Sequence, residues 1–234
     1  MPTLTFFSDP HPETTSIDGY CERTGGLSWS DTRDGAGTFA DSGALTTDTL
    51  RAGITSVGGA YADEIQRMVL LFDTSSLPNT AVISQASLNL YRDDSQQSWG
   101  GSVVVCGSSP ASNVALDASD YSNFADVALS DALTLGDLST SVYHSFPLNA
   151  LGIAAINLTG ITKLGIRMLA DLLDSDPVVS EGVDRFWVKS REFGGLSQGP
   201  YLAVTYEVPG IVQHYGVGGT FDRQNNIGTF GRLA

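Results

Sequence analysis

A chain of 234 residues with 41% hydrophobic and only 16% charged side chains can bury one substantial core, which argues against a disordered or coiled-coil protein. Twelve Lys and Arg against 26 Asp and Glu leave a net charge of -14, so a phosphate backbone is repelled over most of the surface and no nucleic-acid partner is expected. No apolar run approaches the ~20 residues of a membrane-crossing helix, and the first ten residues lack the basic and apolar regions of a secretory signal, so no membrane partner is expected either.

Up to about Ala62 the sequence is rich in Gly, Ser, Thr and Asp and reads as loop-dominated, with short strands over residues 16–22 and 48–54. Gly25-Gly26, Asp34-Gly35 and Gly58-Gly59 are turn formers. From Gln66 the strand signal strengthens. Val69, Leu70, Leu71 and Phe72 are apolar on both faces of a strand, which suits one covered on both sides, and Leu77-Pro78 closes the loop that follows. In residues 86–91, Ala86, Leu88 and Leu90 fall on one face and Ser87 and Asn89 on the other, which fixes the register. Residues 102–106 read as an antiparallel neighbour.

A polar linker carrying Asp117, Asp120, Asp126, Asp131 and Asp137 leads to a strand at residues 143–148. Residues 149–156 form the one expected helix, with Asn149 as its cap, Leu151, Ile153 and Ala154 facing inward, and Gly160 ending it. Strands at 163–169, 185–191 and 201–207 complete the pattern. Roughly nine or ten strands and one short helix imply an all-β fold, a jelly-roll-like β-sandwich over residues 1–207.

Pro209-Gly210 breaks this pattern and leaves residues 208–234 as a Gly-rich C-terminal extension. Within it Gly219-Thr220-Phe221-Asp222-Arg223 recurs as Gly228-Thr229-Phe230-Gly231-Arg232. Two Arg and one Asp give the extension +1, so the preceding body carries -15 of the total of -14. Phe221, Arg223, Phe230 and Arg232 are therefore candidate assembly contacts, Phe anchors flanked by Arg that dock on another subunit.

No catalytic residue is assigned. Gly195-Leu196-Ser197-Gln198-Gly199 matches the G-x-S-x-G string, but Pro200 and a strand follow it where a nucleophile elbow requires a helix. His11, His144 and His214 lack the close spacing of a metal pair. Cys21 and Cys106 are too few and too distant for a zinc or CxxC site. They read as buried thiols, with a disulfide as the alternative. No cofactor is called for. Asp93-Asp94, Asp174-Ser175-Asp176, Asp31 and Asp34 offer hard oxygens to a structural calcium without EF-hand spacing, and no ligand set can be named. Trp29 and Trp99 lie in polar, Gly-rich surroundings. Trp99, with Asp93, Asp94 and Gln97 nearby, is the candidate glycan contact, an aromatic face for stacking beside hydrogen-bonding groups. Trp187, between Phe186 and Val188, reads as packing.

Taken in order, residues 67–78 with 86–91, then Phe146-Pro147-Leu148-Asn149-Ala150-Leu151-Gly152, Gly160-Ile161-Thr162-Lys163-Leu164-Gly165-Ile166-Arg167 and Pro200-Tyr201-Leu202-Ala203-Val204-Thr205-Tyr206 resemble the DNRLRE-type jelly-roll domains. The likeness spans roughly residues 17–207 and rests mostly on core and turn residues. It implies a sandwich similar to carbohydrate-binding modules, of a kind found in bacterial surface proteins, as non-catalytic appendages of polysaccharide-degrading enzymes, and in phage structural proteins. It implies no catalytic residues. The sequence begins at Met1 without a signal or an attached catalytic domain, and the repeat-bearing extension lies outside the shared pattern. The expectation is thus a non-enzymatic subunit of a multimeric assembly, a homo-oligomer or an exposed phage or virion component in an extracellular setting, anchored through its extension. The alternative is a carbohydrate-binding module or adhesin that holds a polysaccharide through loop aromatics.

Overall fold

The computed structural model describes residues 1–25, 28–42 and 49–209. Its strands are β1 (Thr3–Phe7), β2 (Asp18–Thr24), β3 (Phe39–Asp41), β4 (Thr49–Ser56), β5 (Glu64–Asp73), β6 (Val82–Gln96), β7 (Ser102–Ser108), β8 (Phe124–Ala128), β9 (Leu133–Thr134), β10 (Tyr143–Pro147), β11 (Ile161–Met168), β12 (Gly182–Lys189) and β13 (Tyr201–Glu207). Short helices interrupt them: α1 (Trp29–Asp34), α2 (Ala150–Ala154), α3 (Leu169–Leu172) and α4 (Arg191–Gln198), with a 3-10 turn at Ala118–Ser122.

All the strand pairings are antiparallel, and β6 joins two sheets. Residues 82–89 of this 15-residue strand pair with β13, residues 87–91 pair with β10, and from Arg92 onward the partner is β12. The first sheet is therefore β1, β13, β6 and β10. The second runs from β12 through β4, β5 and β11 to β7, with β2 added beside β5 and β3 beside β2, and β8 and β9 beside β7.

The two sheets share one core. Phe6, Leu88, Leu90, Phe146, Leu202 and Val204 from the first sheet join Leu50, Ile54, Ile65, Leu164 and Phe186 from the second, and the Phe146 and Phe186 rings meet at 6.2 Å. The all-β, sandwich-like class expected from the alternating residues is the observed one. Apolar residues on both faces of β5 are buried on both faces, as the run from Val69 to Phe72 requires.

The strand count is 13, above the expected nine or ten, because the Gly- and Thr-rich first quarter carries β1 and β3 beside the expected β2 and β4, and the polar linker carries β8 and β9. Four short helices stand where one was expected. Asn149 caps α2, its Oδ1 accepting from the Leu151 and Gly152 amides. Leu151, expected to face inward, is 58% exposed, and Gly152 takes the buried position because its backbone lies against the Leu129 carbonyl. Cys21 and Cys106 are both free and buried, and burial pushes each thiol up to about 12.

Candidate functional site

In the first sheet Leu202 and Val204 point into the core, so Tyr201, Ala203 and Thr205 point away from it, and β1, β6 and β10 alternate in the same way. At one end of this outer face stands a row of aromatic rings. Tyr91 and Tyr143, directly opposite across β6 and β10, meet edge to face at 5.3 Å. Tyr143 meets Tyr201 at 5.1 Å, and Tyr201 meets Phe7 at 5.6 Å. The Arg191 guanidinium lies 5.6 Å over the Phe7 ring and closes the row.

Beyond the rings the face is made of small polar side chains. Asn89 and Ser145, then Ser87 and Ala203, then Gln85 and Thr205 follow one another along the ladders. A groove of 400 Å³ opens here, with Pro147 and Ile153 along one side and Ser87, Ala203 and Thr205 at its floor. Among the outward residues of these four strands in the paired registers the one formal charge is Glu207, opposite Val82 at the end of β13, in a chain of net charge -14. Burial, with Tyr201 and Tyr91 alongside, pushes the Tyr143 phenol up to about 12, so it is a neutral donor, bonded to the Gly199 carbonyl at 2.9 Å. Such a face can stack, pack and hydrogen-bond.

A second concentration of polar groups lies inside the molecule. Asp171, fully buried in α3, receives two guanidinium forks. Arg67 donates from Nε and Nη2 at 2.9 and 2.7 Å, and Arg167 from the same two atoms at 2.8 and 2.9 Å. Burial raises the Asp171 carboxyl, but Arg67 and the bonds from both arginines outweigh it and bring it to about 2. The remaining donors are also occupied. Arg67 reaches the Tyr121 and Arg33 carbonyls, Arg167 reaches Asp126 at 2.6 Å, and Arg33 bonds the Asp171 carbonyl at 2.8 Å and pairs with Asp34. The Tyr121 ring packs 4.0 Å below Arg67. A 150 Å³ hollow outside this centre, lined by Arg33, Asp34, Arg67, Asp126 and Arg167, thus presents guanidinium groups already committed to carboxylates and carbonyls. The centre ties α1, β5, β8, β11 and α3 together.

A third cluster joins β2 to α4. Asp18 is fully buried and its side chain lies within hydrogen-bonding distance of Glu192, while its Oδ2 accepts from the Arg191 amide at 2.8 Å. Glu13 is nearby, held by His11 at 3.0 Å, and the His11 amide reaches Glu192 at 3.2 Å. Asp18 Oδ1, Glu13 Oε1 and Glu192 Oε2 are buried without partners. Burial, and then repulsion from Glu192 and Glu13, holds the Asp18 carboxyl well above the usual range, and burial also raises Glu192.

The residues singled out from the sequence fall as follows. Trp99 is half-buried and packed against the core, close under Gly182, where a Cβ would come within 3.0 Å of the indole. Its loop is pinned by Asp184, which accepts the Ser98, Trp99 and Gly101 amides at 2.7, 3.0 and 2.8 Å. Asp93 is paired with Lys189 at 2.7 Å, Asp94 accepts the Ser95 amide, and Gln97 is exposed beside Gly136. No hydrogen bond or ion pair joins any two of these four side chains. Phe221, Arg223, Phe230 and Arg232 lie outside the described residues, as does His214.

Trp29 donates to Asp174 at 2.9 Å. Trp187, expected to pack, lies between the Arg51 and Arg185 guanidinium groups at 5.9 and 5.8 Å. Ser197 sits at the end of α4 and donates to the Gly194 carbonyl, with β13 next in the chain. Among the described residues no group of three or more His, Cys, Asp or Glu is arranged to hold a metal ion. The carboxylates considered for calcium have protein partners, Asp31 with Ser28, Asp34 and Asp174 with Arg33, and Asp176 with the Val178 amide.

The aromatic row and the arginine centre were not anticipated from the sequence. The row had no local signal, since its rings come from four separated strands. The centre did have one, an Arg inside each of two apolar strands and an Asp four residues after the second. No protein-family model and no curated protein matches the chain.

Proposed function

We propose that the chain is a non-enzymatic structural subunit of a multimeric assembly, an exposed component of a phage or similar extracellular particle, held to its neighbours through the C-terminal extension. The observation that supports this reading best is the outer face of the first sheet, which from the ring row to Thr205 carries no formal charge on a chain of net charge -14. Like-charged bodies repel, so copies approach most readily where formal charge is absent, and the acidic remainder keeps the assembly soluble. The arginine centre fits the same reading. Asp171 and its arginines saturate one another, leaving no group free to act on a substrate. The resemblance to DNRLRE-type domains agrees with it, since those domains serve in binding and assembly.

A second reading is favoured by the row of Tyr91, Tyr143, Tyr201 and Phe7 beside hydroxyl and amide groups. Rings and hydroxyls without charge suit a neutral polysaccharide, and this face, not the loop of Trp99, is where such a ligand would stack. One experiment separates the two. The mass of the full chain in solution is compared with that of a version ending at Val208, and both are applied to a glycan array. The assembly reading expects a defined oligomer that collapses to monomer on truncation. Two equal monomers, with glycan binding lost in Tyr201→Ala, would replace it with the second reading.

A further inference from the structure

We propose that the groove on the outer face of the first sheet is the docking site for the C-terminal extension of a neighbouring copy. This rests on the assembly reading above and names the surface that receives the extension.

Three observations carry the inference. The first is where the chain leaves the sandwich. β13 runs from Tyr201, beside the aromatic row, to Glu207, opposite Val82, so it passes Ala203 and Thr205 on the groove floor and then leaves the groove's lining. The described chain therefore ends at Pro209, four residues past Thr205 on the groove floor. An extension that starts beside this groove can be offered to the same face of another copy, and two copies can exchange extensions symmetrically.

The second observation is charge. The body carries -15 and the extension +1, so any contact between two bodies is opposed by repulsion. The extension is the part of the molecule that a neighbour does not repel, and the groove is the part of the body that adds no charge to the contact. A phosphate-bearing or acidic partner gains nothing from such a groove.

The third is shape and chemistry. Ser87, Ala203 and Thr205 are short, so the floor admits a backbone or a ring at close range, while Pro147 and Ile153 give one apolar wall. The extension supplies Gly-Thr-Phe twice, nine residues apart, a small residue, a hydroxyl and an aromatic anchor in each copy. Tyr143 and Tyr201 at the far end offer edge-to-face partners to an incoming Phe.

The test uses the full chain and bifunctional maleimide crosslinking between two singly substituted proteins. Cys21 and Cys106 are fully buried and stay silent. Ala203→Cys places a thiol on the groove floor, and Thr229→Cys places one in the second repeat. Mixing the two proteins is expected to give a crosslinked heterodimer. Leu173→Cys, exposed at the end of α3, is expected to give none with Thr229→Cys. Adding Ser87→Arg to the Ala203→Cys chain should lower the heterodimer yield about tenfold, the scale of losing one seated contact. An oligomer that persists without the Ala203 crosslink, and is indifferent to Ser87→Arg, would overturn the groove assignment while leaving the assembly reading standing. A crosslink that forms only within a single chain carrying both cysteines would assign the groove to the chain's own extension and overturn docking between copies. Monomer at all concentrations, with no crosslink of either kind, would end both.

Discussion

At the scale of single residues the decisive group is Asp171, a fully buried carboxylate with two bidentate arginines. Removing one partner from such a centre leaves uncompensated charge in the interior, which costs about 3–5 kcal/mol. Asp171→Ala should therefore lower the urea midpoint sharply without a change in the slope of the transition, and an unchanged midpoint would mean that the arginines find other partners. The pH dependence has a definite sign. The carboxyl titrates near 2 in the folded chain against 3.8 when free, so its contribution is present above the free value and is lost as pH falls toward 2. Integrated over that shift the loss is on the order of 2 kcal/mol. A denaturation series from pH 5 to pH 2 checks the wild type, and Asp171→Ala should lose this part of the acid sensitivity.

Among the elements, the contact between β2 and α4 works in the opposite direction. Asp18 and Glu192 can be hydrogen-bonded to each other only while one of them is protonated, and both are held above the usual carboxylate range by burial. A raised folded value means stability is greatest below the free value of 3.8 and is lost as pH rises toward the raised one. Asp18→Asn supplies a permanent donor toward Glu192 and keeps an acceptor for the Arg191 amide. It should raise stability at pH 8 by about 1–2 kcal/mol and flatten its decline above pH 4. A less stable variant at pH 8 would contradict the shared proton.

The same scale shows what could be read in advance. The apolar run of β5, the alternation of Ala86, Leu88 and Leu90 in β6 and the Asn149 cap are local patterns, and each yields the element it predicts. β1 and β3 were missed where hydroxyls and glycines mask strands whose identity comes from pairing. The helices α1 and α4 each form behind a Ser cap, Ser28 and Ser190, too short for periodicity to register. Trp99 has an exposed sequence context, yet Asp184, 85 positions away, draws its loop onto the core edge. The aromatic row depends on the register of four strands, which no local pattern encodes.

For the whole molecule, charge and architecture together define the account. An acidic body of -15 closes its core within residues 3–207 and presents a ring-edged face, free of formal charge as far as Thr205, beside the point where a +1 extension begins. Repulsion between such bodies is screened by salt, whereas contacts of rings and short polar side chains are not. Association through this face should therefore strengthen as ionic strength rises. The measurement that tests the central claim most directly is the molar mass of the full chain by light scattering, across concentration and at salt from about 0.02 to 0.5 M, where the Debye length falls severalfold. The account predicts a defined multiple of 24.7 kDa that persists or grows with salt. A mass of 24.7 kDa at every concentration and salt would contradict it.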